Sequence, residues 1–225
     1  MKRVAEWIAY PLIRHLLVAF SYLFWRVTVD GREHIPKTGS FILAPVHRSN
    51  VDSPVVAAVT RRRMRYLGKQ EMWKYRVPAA VFNAMRGIPV NRGTPDRDAL
   101  RRCVTALQAG EPLVVFPEGS RRSGPVVDEL FEGVAYMATK TGAPIIPVGI
   151  GGSERAMPKG AKFIHPVKIH LVVGPPIHPE VSETGKTPRR AVRELNDRLY
   201  AELQRLFDEA QVKAGTPNEL PPATA

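Results

Sequence analysis

The chain has 225 residues, 44% of them hydrophobic, and a formal net charge of +12. That length supports one good core and argues against two large domains, while the charge favours anionic company: nucleic acid, anionic lipid or phosphorylated small molecules. Cys103 is the only cysteine, which excludes an internal disulfide and a cysteine-built zinc site and fits a reducing compartment.

In chain order, residues 7–25 (WIAYPLIRHLLVAFSYLFW) come first. The run approaches the ~20 residues needed to span a bilayer. Pro11, Arg14 and His15 lie inside it, and a charge near the bilayer centre costs roughly 2.5–3.5 kcal/mol. An interfacial helix, or a bent pair of helices, with aromatic side chains at headgroup depth fits better. A soluble core helix is the alternative.

A β-like run, WRVTVDG, follows, then a strand, FILAP (residues 41–45). Residues 52–60 suit a short helix, 64–69 a strand and 77–85 a helix. GIPVNR (87–92) reads as a strand ending in arginine. Residues 95–109 show a helix with Pro95, Asp96 and Asp98 near its start, stopped by Gly110. LVVF (113–116) suits a buried parallel strand, 133–141 a helix, and 144–150 and 167–174 two more strands. In residues 189–214, Val192, Leu195, Leu199, Leu203 and Leu206 form the apolar stripe of a long helix. Residues 215–225 read as a disordered tail.

This alternation predicts a single α/β domain (residues 31–214) with a mixed, mostly parallel sheet flanked by helices. A membrane-associating helix or helix pair precedes it within residues 1–30. Ligands of such sheets sit beyond the carboxyl ends of the strands. Three strand-like runs are followed at once by polar residues: FILAP by VHRSNVD, GIPV by Asn91 and Arg92, and LVVF by PEGSRR. If those strands are neighbours, a histidine, carboxylates and arginines share one cleft.

His47 and Asp52 stand five apart, with Ser49 and Asn50 promoting a turn between them. Two readings fit: an imidazole base oriented by a carboxylate, or a polar loop in which Asp52 or Ser53 caps a helix. In FPEGSRR (116–122), Gly119 allows a tight turn and Arg121 and Arg122 offer forks for phosphate. Glu118 either holds an arginine or accepts a hydroxyl. Arg92 and Lys69, each at a strand end, are further anion-binding candidates. Solvated surface residues are the plain alternative for all of these arginines and lysines.

No G-x-S-x-G elbow, P-loop or dinucleotide motif occurs, and Cys103 lies among apolar neighbours on a predicted helix. His165, His170 and His178 fall on a strand and a Pro-rich loop and make a poor metal set. A base without a covalent nucleophile suits direct attack by a substrate hydroxyl on an activated carbonyl.

Four blocks in order resemble the glycerolipid acyltransferase family, specifically its lysophosphatidate acyltransferases: HRSNVD (47–52), GIPVNR (87–92), FPEGSRR (116–122) and APIIPVGI (143–150). Val46 stands where asparagine often precedes the histidine, Ser120 replaces the commoner threonine, and Arg122 stands where serine is common. The resemblance implies acyl transfer from acyl-CoA or acyl carrier protein, as co-substrate, to a lysophospholipid hydroxyl, with no other cofactor and no metal. It implies that His47 deprotonates the acceptor and Asp52 orients His47. Arg92 and Arg121, with Lys69, would grip the phosphate, and Glu118 and Gly119 would shape the acceptor site. Backbone N–H groups of the third or fourth block would steady the oxyanion. The expected location is the cytoplasmic face of the cell membrane, on an anionic surface, and Arg61 to Arg65 (RRRMR) reads either as a patch for anionic headgroups or the carrier's phosphates, or as a solvated run.

Glycerol-3-phosphate or another lysolipid is an alternative acceptor. A nucleic-acid-binding protein fits the charge, but the aromatics gather in the first helix rather than between basic residues. A catalytically silent membrane scaffold is the third alternative.

Overall fold

The computed structural model describes residues 2–91, 96–180 and 187–219. The first apolar run forms one continuous helix, α1 (Lys2–Phe24), rather than a pair, with Pro11 inside it. Helical periodicity sorts its residues. Tyr10, Arg14 and Ser21 are buried, whereas Leu12, Leu16, Phe20 and Leu23 line the exposed face. The Arg14 guanidinium turns inward and donates to the carbonyls of Ala57 and Thr60 at 3.1 and 2.7 Å. These carbonyls lie just beyond the end of α2 (Asp52–Val56), where a cation is favourable. No helix among the described residues is long and apolar enough to cross a membrane.

Seven strands form one sheet: β1 (Thr28–Asp30), β2 (Ile42–Pro45), β3 (Arg65–Lys69), β4 (Ile88–Val90), β5 (Leu113–Val114), β6 (Ile145–Gly151) and β7 (His170–Val173). Their order is β1-β7-β6-β2-β5-β3-β4. The five strands from β6 to β4 run parallel. β7 is antiparallel to β6, and β1 is parallel to β7. Mixed, mostly parallel is therefore the observed class. The central strands β2 and β6 are buried along their whole length, as strands covered on both faces must be.

α4 (Arg97–Gln108), α5 (Gly133–Thr141) and α7 (Arg189–Ala214) pack in sequence beside one another, while α1 packs against α2 and α3 (Arg76–Ala84). α7 presses its backbone onto β6. A Cβ at Gly149 would stand 2.0 Å from the Leu206 carbonyl oxygen, and one at Gly151 2.1 Å from that of Ala210. The expected stripe on α7 is buried and extends to Phe207 and Ala210.

Several boundaries differ from the sequence reading. LVVF supplies only two residues of ladder, since the chain turns away into Pro117. The strand expected over 167–174 shortens to His170–Val173. A four-residue helix, α6 (Ser153–Ala156), was not expected. The start of the expected disordered tail is docked: Asn218 donates to Pro125 O at 3.2 Å and to Asp208 Oδ1 at 2.6 Å. Residues 220–225 lie outside the described residues.

Candidate active site

Beyond Pro45 the chain turns sharply, and one carboxylate oxygen organises the turn. Asp52 Oδ2 accepts from His47 Nδ1 at 2.9 Å, Arg48 N at 2.7 Å and Ser49 N at 2.6 Å. Asp52 is fully buried at the start of α2, but it caps no helical N–H. It closes the turn before the helix instead. A carboxylate that accepts from two backbone N–H groups accepts from the imidazole as well, so the neutral ring carries its proton on Nδ1. Nε2 has no protein hydrogen-bond partner among the described residues. The ring stacks on Phe116, with centroids 4.0 Å apart and planes at 25°.

The second turn, after β5, locks onto the first. Glu118 is fully buried. Its Oε2 accepts from His47 N at 2.7 Å, and its Oε1 from Arg48 Nη1 at 2.8 Å and Asp128 N at 3.3 Å. Of the two roles open to Glu118, the geometry gives the arginine-holding one. Its carboxylate oxygens are spent on Arg48 and on the backbone N–H groups of His47 and Asp128. Arg48 also donates to Val126 O at 2.9 Å, and its guanidinium lies 4.8 Å from the Phe207 ring centroid. Gly119 adopts φ +65°, where a Cβ would meet the Phe131 ring at 2.5 Å. Arg122 N donates to His47 O at 2.8 Å, and the Arg122 side chain pairs with Asp128 at 3.1 Å. Arg121 is half-buried and has no hydrogen-bond or ion-pair partner among the described residues.

The strand order places these ends side by side. β2, β5, β3 and β4 are consecutive and parallel, so the residues after them emerge at one edge. At ~4.8 Å per strand, β3 lies about 10 Å from β2. Lys69 ends β3, half-exposed, with its ammonium 3.3 Å from Glu71. Arg92 lies outside the described residues. An open cavity of about 480 Å³ at the ends of β3 and β4 is lined by Gln70, Asn91, Asp96, Asp98, Arg101 and Arg102. It does not include His47.

Other candidates fall away from this edge or into structural roles. Burial pushes the Cys103 thiol up to about 12. Among the described residues no three His, Cys, Asp or Glu side chains gather as a metal set. Much of RRRMR is engaged by the fold. Arg62 donates to Pro36 O and Gly39 O at 2.9 and 2.5 Å, and Arg65 pairs with Glu111 at 3.0 Å.

Two residues of this assembly carried no role in the sequence reading. Arg48 is one, although a buried glutamate among arginines needs a cationic partner. Gln204 on α7 is the other: it accepts from Val127 N at 2.7 Å and donates to Pro125 O at 3.1 Å, steadying the loop beyond Arg122. Among the described residues, the assembled edge holds a base with one free nitrogen, no hydroxyl or thiol bonded to it, and an unpaired guanidinium. It suits proton removal from a hydroxyl on an anionic molecule.

Known proteins resemble this chain in sequence and fold. The chain is 26% identical to the crystal structure of the 1-acyl-sn-glycerophosphate acyltransferase PlsC from Thermotoga maritima. The match has a TM-score of 0.70 and covers 90% of this chain and 81% of that one. It is 25% identical to a Bacillus subtilis 1-acyl-sn-glycerol-3-phosphate acyltransferase over 68% of this chain and 74% of the relative. It is 23% identical to the chloroplastic LPAT1 of Arabidopsis thaliana over 70% of this chain, and the match spans only 45% of that protein's length. The Acyltransferase family model matches residues 26–151, more than half of the chain, and this protein belongs to that family.

Proposed function

We propose that this protein transfers a fatty acyl group from acyl-CoA or acyl carrier protein to the free hydroxyl of lysophosphatidate, giving phosphatidate for phospholipid synthesis. The observation that carries this reading is the 2.9 Å contact between His47 Nδ1 and Asp52 Oδ2, with Nε2 left free, at the same strand edge as the unpaired Arg121. The acceptor comes from the relatives, which are lysophosphatidate acyltransferases by name.

In this mechanism His47 Nε2 takes the proton of the acceptor hydroxyl as its oxygen attacks the thioester carbonyl. Asp52 holds the ring and stabilises the imidazolium that forms. Collapse of the tetrahedral intermediate breaks the C–S bond, and the imidazolium returns its proton to the leaving thiolate. Arg121 grips the acceptor phosphate as a charged fork, with Arg92 and Lys69 as further cations; Lys69 must first exchange Glu71 for the ligand. The exposed face of α1 seats the protein on the cytoplasmic side of the membrane, among anionic headgroups.

The test is thiol release from palmitoyl-CoA or oleoyl-CoA by purified protein, with and without lysophosphatidate. Release should depend on the acceptor, and His47→Ala and Asp52→Asn should each lower kcat by about 10²–10⁴. Full activity in His47→Ala would remove the base from the mechanism. Acceptor-dependent release with glycerol-3-phosphate but not with lysophosphatidate would move the acceptor, not the chemistry.

A further inference from the structure

Between α6 and β7 the chain makes a loop that the reaction does not use. Residues 158–166 are exposed except for Ala161. Phe163 is 78% exposed and Ile164 38%, with Lys159 and Lys162 beside them. From Arg155 to Pro179 the sequence holds no carboxylate. Phe163 and Ile164 give the loop an apolar tip, with Lys159 and Lys162 just before it and no carboxylate nearby in sequence.

The loop's ends are pinned. His165 N donates to Ala156 O at 2.8 Å, closing its neck. Ser49 Oγ donates to Met157 O at 2.9 Å, joining it to the His47–Asp52 turn. On the other side Trp25 Nε1 donates to His165 O at 3.1 Å, joining it to the end of α1 and to the exposed Leu12–Leu16–Phe20–Leu23 face. The loop therefore bridges the catalytic turn and the exposed apolar helix face.

We infer that this loop is a second membrane-docking element: Phe163 and Ile164 enter the acyl-chain boundary of an anionic bilayer, and Lys159 and Lys162 meet headgroup phosphates. Cations around an apolar tip match a surface that is anionic outside and apolar beneath. An acidic carrier protein would use the lysines but would leave the phenylalanine without a matching partner. The inference extends the proposed function, because docking here holds the catalytic turn against the surface from which a lysolipid comes. The loop and the exposed face of α1 are tied together through Trp25 and His165, so the two elements would meet the membrane as one unit beside the catalytic turn.

The test labels the full chain at Phe163→Cys with an environment-sensitive thiol dye. The buried Cys103 does not compete, and a dye at Tyr200→Cys on α7 serves as control. Vesicles of phosphatidylcholine with about a third phosphatidylglycerol should raise and blue-shift the signal at 163 but not at 200, and nitroxide-labelled lipid should quench it. Lys159→Gln and Lys162→Gln should each weaken vesicle partition about fivefold, the equivalent of ~1 kcal/mol per lysine near an anionic surface. A dye at 163 that stays water-like, whether or not the vesicles bind the protein, overturns the inference. So does a response to an acidic acyl carrier protein without one to vesicles, which would make the loop a carrier site. None of these readouts needs turnover, so they stand or fall apart from the His47 chemistry.

Discussion

Arg48 Nη1 and Glu118 Oε1 lie 2.8 Å apart with both side chains buried, and this pair clamps the turn after β2 to the turn after β5. The same glutamate accepts from the backbone of the base, His47 N. Removing one member of a buried pair strands the other charge, which costs roughly 3–5 kcal/mol. Arg48→Met should therefore lower Tm by roughly 10 °C in a chain of this size and lower kcat with it. Arg48→Met with Glu118→Leu should recover part of the lost stability, since no charge is left stranded but the buried His47 N–H is. It should not recover kcat, because His47 N–H has then lost its acceptor. Recovery of both would reduce the pair to packing.

Arg121 and its neighbour Arg122 are adjacent in sequence but differ in their engagements. The Arg122 side chain pairs with Asp128, while its backbone N–H donates to the His47 carbonyl; the Arg121 side chain has no partner among the described residues. Arg121→Ala should raise KM for lysophosphatidate about 10- to 100-fold, as expected for losing a charged hydrogen bond worth ~1.5–3 kcal/mol, with Tm unchanged. Arg122→Ala should lower Tm and leave acceptor KM closer to wild type. Steady-state kinetics over acceptor concentration, beside melting curves, separates the two. The reverse pattern would exchange their roles.

At the far edge of the sheet His170 bridges β1 and β7. Its Nε2 lies 3.0 Å from Asp30 Oδ2 and its Nδ1 2.6 Å from Thr28 Oγ1. Lys213 on α7 also reaches Asp30, at 2.8 Å, and Lys168 adds positive charge nearby. Burial, the largest influence, lowers the imidazole below the usual histidine value even against the pull of Asp30. The unfolded chain therefore binds this proton more readily than the folded one. Stability from this site is complete above about pH 6.5, the unfolded value, and is lost as pH falls from there toward the folded value. Asp30, held low chiefly by Lys213, adds a loss in a separate window below about pH 4. Tm should fall between pH 7.5 and 5.5, and His170→Gln should flatten that slope. An unchanged slope would place the proton uptake elsewhere.

The parts of the site legible in sequence were the local ones. His47, Ser49 and Asp52 lie within one turn, so residue type and spacing carry their geometry. Adjacency of the strand ends was only a condition in the sequence; the fold meets it for β2 and β5, while β3 stands between β5 and β4. Arg48 and Glu118 are 70 residues apart, and only the β2–β5 pairing brings them together, so nothing local marks them as partners. Arg14 illustrates the same limit on α1: its charge argued against a membrane span, but its acceptors, the carbonyls of Ala57 and Thr60, belong to a later segment. The basic run at residues 61–65 reads in sequence as a patch or as a solvated run, because sequence shows the charges and not the carbonyls of Pro36 and Gly39 that receive Arg62. β7 is antiparallel because it returns beside β6, a choice that apolar runs do not encode.

Gly119 closes the turn that presents Arg121. Its φ of +65° costs a residue with a Cβ ~1–2 kcal/mol, and that Cβ would stand 2.5 Å from Cε2 of the Phe131 ring. The ring is 63% exposed and free to swing outward, so the contact is the cheaper part of the penalty. Gly119→Ala should lower Tm by about 2–8 °C at ~2–4 °C per kcal/mol. Because Arg121 follows two residues later, KM for the acceptor should rise in parallel. Adding Phe131→Ala removes the contact but leaves the left-handed backbone strained, so rescue should be partial. Full rescue of Tm and KM by Phe131→Ala would show that the ring, and not the backbone conformation, demands glycine at this turn.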